Sequence, residues 1–195
     1  MYNMGRCKVR ECHENHSRHF CRVCNEEDTD HVSSECPKGI TLYHGSHTGA
    51  VEPIKKDGLI GSSGGRLGPG VYFVNNYEEA KKISLNRQQK AGERNHESVV
   101  LKCQVFLGKH IALGRGDGSY WQIDWDSAST MHPPWAGIGY DFKEYCLKNS
   151  SFCAVNTIFI NDVPVRKDRD FAWNEMESLL LAIFIENINK ALKDL

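Results

Sequence analysis

The chain has 195 residues, with 24 basic against 25 acidic side chains and a net charge of −1. That length suffices for one well-buried domain with a small appendage, and the charge balance excludes a global basic field, so any affinity for nucleic acid has to come from a local patch or from stacking. No run approaches the roughly 18 uninterrupted apolar residues of a membrane span, and the start "MYNMGRCKVREC" carries charges where a signal peptide needs its apolar region. A cytosolic or nuclear protein without a membrane partner is expected.

Chemistry begins in the first 36 residues, which hold Cys7, Cys12, Cys21, Cys24 and Cys36 interleaved with His13, His16, His19 and His31. The stretch "CRVCNEEDTDHVSSEC" spaces Cys21, Cys24, His31 and Cys36 so that two thiolates grip one tetrahedral ion and the later His and Cys close the cage. It resembles a zinc knuckle, with six residues instead of the usual four ahead of the histidine. Upstream, Cys7, Cys12, His16 and His19 supply a second set; three histidines compete there, and the two sets could interleave. A disulfide scaffold is the alternative, which the lack of a signal peptide and the four histidines oppose. With so few large apolar residues, this segment would draw its folding energy from zinc, on the order of 10 kcal/mol per ion. Its basic half, from Arg6 to Arg22, could face phosphate with Phe20 or Tyr2 as a stacking platform; a purely structural or protein-docking finger fits equally.

After the link "CPKG", β-type runs occur at "ITLYHG", "GVYFV", "SVVLKCQVFLG" and "NTIFI", while "GAVEPIKKDGL" and "NNYEEAKKISLNRQQKAG" read as short helices, the first ending at Gly58. Residues 108 to 140 read as long aromatic-rich loops. Cys103, Cys146 and Cys153 read as small buried hydrophobes. From Asn174 to Leu195 the apolar spacing predicts an amphipathic helix, packed on its own domain or used for a partner. The class expected is α+β, antiparallel sheets carrying short helices, and a monomer rather than a dimer.

Three stretches carry candidate site residues. In "LYHGS" the histidine can donate to a sugar hydroxyl, and Gly45, lacking a Cβ, lets a flat amide approach and pair with its backbone. "GSSGGRLGPGVYF" brings a glycine-rich loop, Arg66 as a phosphate or adenine neighbour, and Tyr72 as a stacking face. "DFKEYCL" places Glu144 at the start of a run leading to an apolar strand.

Together, in this order, "LYHGS", "GPGVYF" and the later Glu-Tyr resemble the His-Tyr-Glu signature of poly(ADP-ribose) polymerase-type ADP-ribosyltransferases, over residues 39 to 162. The glycine loop, the "VLK" strand and the Trp…Gly-Tyr-Asp stretch are also similar to the small virus-induced PARP-like proteins of fish. The resemblance implies split antiparallel sheets and a zinc-finger module at 1–38, a transferase domain at 39–170 and an appended or packed helix at 171–195. It implies NAD as substrate, with His44 on a ribose hydroxyl, Gly45 on the nicotinamide carboxamide, Tyr72 against the leaving ring and Glu144 beside the ribose cation. Ser46 would steady the strand of His44, and Arg66 and Gly70 would flank the cofactor. Family members follow the Tyr-Phe strand with a serine and a second tyrosine; the matching positions here are Ala80 and Ile83, with Tyr77 and Ser84 out of register. Nicotinamide binding would then be weaker, or supplied by "YWQIDWD" or Trp135.

The leading reading is an NAD-dependent mono-ADP-ribosyltransferase, a pentosyltransferase acting on a protein or an RNA or DNA acceptor. The competing reading is a related module without turnover that binds nucleic acid, ADP-ribose or NAD through fingers and cleft.

Overall fold

The fold was analysed on a computed structural model, which describes residues 7–10, 12, 18–90, 96–114 and 119–166. The chain divides into two compact units, Met1–Val165 and Arg166–Leu195. Apart from Arg166 the second lies outside the described residues, and with it the amphipathic helix expected at its end. Among the described residues no helix is long and apolar enough to cross a membrane.

The architecture is α+β and mainly β. Two short strands, β1 (Phe20–Cys21) and β2 (Glu26–Glu27), pair in the N-terminal module. The rest is one ladder built from β3 (Ile40–His47), β4 (Val71–Val74), β5 (Ser98–Val105), β6 (His110–Leu113), β7 (Ser127–His132), β8 (Phe142–Leu147), β9 (Cys153–Ile160) and β10 (Val163–Arg166), in the order β10-β9-β5-β3-β4-β8-β7-β6. The helices are α1 (Val51–Asp57) and α2 (Tyr77–Lys90). α1 stops where expected, at Gly58, whose φ of 79° is open to glycine and closed to most side chains.

β3 pairs with β5 over its whole length, from Ile40↔Val105 to His47↔Ser98, and β5 pairs with β9 on its other side. These strands are central, and β5 is buried at six of its eight positions, which suits its continuous "SVVL" run. β3 and β4, by contrast, share one register pair, Tyr43↔Val74. The expected two split sheets are therefore one eight-stranded ladder that opens at this seam. Below the pair, the side chain of His44 takes over from the backbone: its Nδ1–H donates to the Tyr72 carbonyl at 2.7 Å.

One core cluster packs α2 on the sheet, with Ala80 and Ile83 against Val74, Val100, Ile138 and Phe142. A second joins Leu67 and Trp121 to Ala128 and Cys146. The N-terminal module is docked as well: Cys21, Val23, Cys24 and Cys36 pack against Ala154 and Phe106, and Gln104 Nε2 donates to the carbonyls of Cys36 (2.7 Å) and Gly39 (2.8 Å).

Residues 108–140 differ from the loop expected of them. They contain β6 and β7 and a 3-10 turn at Ser119–Ile123. β7 is "SASTMH", four consecutive buried positions filled by Ser, Ala, Ser and Thr; with no apolar alternation it carries none of the usual strand signal. β6 runs parallel to β7, and the connection 114–126 is long enough for such a crossover. His110 locks the pair through Ser127 Oγ (2.8 Å) and Ser129 Oγ (3.0 Å).

Candidate active site and metal centres

The seam between β3 and β4 opens into a cleft of about 850 Å³, within the range of small-molecule sites. His44, Gly45, Ser46, Arg66, Tyr72, Ile83 and Glu144 all line it. Neighbouring strands bring them together: β3 carries His44, β4 carries Tyr72, and β8, paired to β4 through Val74↔Glu144, carries Glu144. Glu144 sits inside β8, not ahead of a strand as expected, because "FKEYCL" itself forms the strand.

Glu144 is only 8% exposed, and its Oε2 is buried without a hydrogen-bond partner. Burial pushes its pKa up to about 7, even though Arg66 and Arg87 pull it down. Desolvation wins because neither arginine makes an ion pair with it: Arg66 is exposed, and no described carboxylate lies within ion-pair distance of Arg87. Five buried side-chain atoms lack partners among the described residues, and three of them, Glu144 Oε2, Asn86 Oδ1 and His47 Nδ1, belong to residues lining this cleft. Buried polar atoms are otherwise nearly always satisfied, so three of them around one cavity make it the candidate site for a polar ligand.

His44 is neutral. Burial first, and the Arg87 charge second, depress its pKa to about 4. Since the Tyr72 carbonyl only accepts, the His44 proton is on Nδ1 and Nε2 faces the cleft as an acceptor. It would receive a sugar hydroxyl rather than donate to one, and Nε2 now receives Arg87 Nη1 at 3.3 Å. The Tyr72 hydroxyl holds the glycine loop: it accepts from Leu67 N (2.9 Å) and donates to the Gly68 carbonyl (2.5 Å). Trp121 Nε1 ties the same loop at the Leu67 carbonyl, 2.7 Å.

Gly45 is required by close approach. A Cβ there would stand 2.3 Å from the Ala80 carbonyl oxygen and 2.8 Å from Ser84 N, both backbone atoms of α2. Ala80 is thus wholly buried at the helix contact, outside the cleft wall, whereas Ile83 reaches the wall. Gly70 also lies off the wall, bridged to Ser62 and packed against Cys146 Sγ. Ser84 is no carboxamide ligand: it is fully buried, and its hydroxyl bonds the Ser46 carbonyl, Ser98 Oγ and Val99 N. The bond to the Ser46 carbonyl anchors α2 to the strand of His44. Tyr77 points elsewhere, donating to Asp162 Oδ1 at 2.8 Å. Of the aromatic substitutes foreseen, Trp135 lines the cleft together with His132, while Trp121 does not.

The residue that sequence reasoning missed is Arg87. It reaches from α2 to donate to the Gly45 carbonyl at 2.8 Å, the group that the family resemblance assigns to a carboxamide. Its position one helical turn beyond Ile83 was the available signal.

Two groups in the N-terminal module could hold a metal ion. The ligand atoms of Cys21, Cys24, His31 and Cys36 lie within 4.8 Å of one another, as do those of Cys7, Cys12 and His19; the sets do not interleave. His16 lies outside the described residues. In the first set Cys24 Sγ is 3.7 Å from His31 Nε2, and Asp30 Oδ1 takes His31 Nδ1 at 3.0 Å, so a carboxylate aims the ring. Burial and the neighbouring sulfurs of Cys21 and Cys36 push the Cys24 thiol up to about 12. Three sulfurs and an imidazole at this spacing could hold one metal ion and are compatible with tetrahedral zinc. In the same module Phe20 is half exposed, and Arg18 pairs with Glu27 at 3.3 Å.

No protein-family model matches the chain, and no curated protein proved similar to it.

Proposed function

We propose that the chain is an NAD-dependent mono-ADP-ribosyltransferase of the His-Tyr-Glu type, carrying a structural zinc module. The observation that supports this best is the convergence of His44, Tyr72 and Glu144 from β3, β4 and β8 on a cleft with an orphaned buried carboxylate. In this reading the C1′–N bond of the nicotinamide riboside breaks, its electron pair goes to the ring nitrogen, and positive charge develops on the ribose, as in glycoside hydrolysis. Ionised Glu144 accepts from the 2′-hydroxyl and holds negative charge beside that cation. His44 Nε2 accepts from a ribose hydroxyl, and Tyr72 fixes the glycine loop over the dinucleotide. An acceptor group of a protein or nucleic acid then attacks C1′ and loses its proton to water. Removing one preorganised group of this kind costs about 3 to 4 kcal/mol of barrier.

Cys21, Cys24, His31 and Cys36 would hold one zinc ion, and Cys7, Cys12 and His19 with a fourth ligand another, both as scaffolding. The half-exposed Phe20 and the neighbouring bases suit a stacked nucleotide. A second reading, binding without turnover, is favoured by one observation, the engagement of the Gly45 carbonyl by Arg87.

Incubation with labelled NAD in the presence of protein and oligonucleotide acceptors tests the proposal. Wild type should release nicotinamide and transfer label, and Glu144→Ala and His44→Ala should not. An inert wild type that still binds NAD by calorimetry would leave the second reading.

A further inference from the structure

We infer that Arg87 is a specificity-determining residue of the cleft and that it selects a dinucleotide whose pyridine ring bears a carboxylate, nicotinate adenine dinucleotide, over the carboxamide of NAD. The inference rests on the ADP-ribosyltransferase reading of the same cleft.

Ala80 and Ile83 offer no polar group, and the backbone of α2 presses directly on Gly45. Arg87 reaches the Gly45 carbonyl from farther along the helix, and both of its hydrogen bonds, to Gly45 O at 2.8 Å and His44 Nε2 at 3.3 Å, run through Nη1. A carboxamide approaching that carbonyl has to share its oxygen with the guanidinium, which already donates to it and crowds the approach to the second lone pair. A carboxylate has no donor to place; it accepts from the Gly45 N–H and from the guanidinium, whose planar fork suits it.

Charge points the same way. Arg87 is largely removed from solvent, which lowers its pKa, with Glu144 as the opposing influence, yet no described carboxylate pairs with it. A partly buried cation whose described hydrogen-bond partners are both neutral groups lacks a paired counter-charge, and an anionic ligand supplies one. The reaction adds to the preference. As the C1′–N bond breaks and its electron pair passes to the ring nitrogen, the ring loses its positive charge while the carboxylate keeps its negative one. The leaving group becomes the nicotinate anion, and its attraction to Arg87 grows towards the transition state. The acceptor forms the new bond to C1′ and gives up its proton to water.

Calorimetric titration of the full chain with nicotinate adenine dinucleotide and, separately, with NAD tests this, for wild type, Arg87→Gln and Arg87→Lys, with thermal unfolding recorded for each. Wild type should bind the nicotinate form about ten- to a hundredfold more tightly, Arg87→Lys should keep a preference, and Arg87→Gln should lose or invert it. The wild-type ratio stands even if a variant does not fold. NAD binding equal to or tighter than that of the nicotinate form overturns this inference alone, as does an unchanged ratio in a folded Arg87→Gln. Failure of wild type to bind either dinucleotide overturns the ADP-ribosyltransferase reading with it.

Discussion

Glu144 should make the protein less stable as the pH rises towards neutrality, and Glu144→Gln should remove that dependence. The carboxyl is 8% exposed, and burial raises its pKa from 4.5 to about 7. Between those values the folded state holds a proton that the unfolded state releases, so stability falls as pH rises through the window and levels off above about 7. A displacement of that size is worth roughly 3 kcal/mol, or about 6 to 12 °C in melting temperature for a chain of this length. Glutamine matches the protonated acid in shape and does not titrate. His44, whose own pKa is depressed to about 4, destabilises at the acid end in both proteins and drops out of their difference. The assay is thermal or urea unfolding of wild type and variant at intervals from pH 4.5 to 8.5. Wild type should lose the full increment relative to the variant across that range. A difference that stays flat, or that moves in favour of wild type as pH rises, would show that Arg66 and Arg87 compensate the carboxylate, and the account of the cleft as a site with an uncompensated charge would fail.

Gly45→Ala should force α2 off β3, because its Cβ would meet two backbone atoms of the helix within 3 Å. A cost of about 1 to 3 kcal/mol, or roughly 2 to 12 °C, is expected, and an unchanged melting temperature would refute the contact. Chelation of a metal bound there should lower the unfolding temperature of the sheet domain as well as open the N-terminal module, since the module's cysteines pack on Ala154 and Phe106. It should also render Cys21 and Cys36, both wholly buried, reactive to a thiol reagent. Thiols that react equally before and after chelation would count against a metal centre there.

What could be read from the sequence, and what could not, divides along physical lines. β3, β4, β5 and β9 announce themselves by apolar and β-branched runs, and α1 by its glycine stop. The ligands Cys21, Cys24, His31 and Cys36 follow from spacing, because a tetrahedral ion restricts it. β7 escaped notice since a strand buried among close neighbours needs small residues, and Ser-Ala-Ser-Thr carries no periodicity. Glu144 was recognised by residue type but misplaced, as a charged residue in the middle of "FKEYCL" disguises the strand that buries it. Ala80 and Ile83 match ligand positions by register, yet the helix sits so close to Gly45 that Ala80 is used for packing and only Ile83 reaches the cleft wall. No motif marks Arg87: its place one helical turn beyond Ile83 sets it on the cleft side of α2, but its role depends on the reach of a long side chain across that contact, which the packing of α2 on β3 defines.

The central claim is that Glu144 and His44 serve one cleft that cleaves a pyridine dinucleotide. The most direct measurement is the pH dependence of pyridine-base release by wild type and Glu144→Gln, with NAD and nicotinate adenine dinucleotide as donors. Release by wild type should rise with pH to a plateau above about 7 as Glu144 ionises, and the variant should fall by two to three orders of magnitude, roughly the loss of one preorganised group. Release that is absent from wild type with both donors, or equal in wild type and Glu144→Gln, would contradict it.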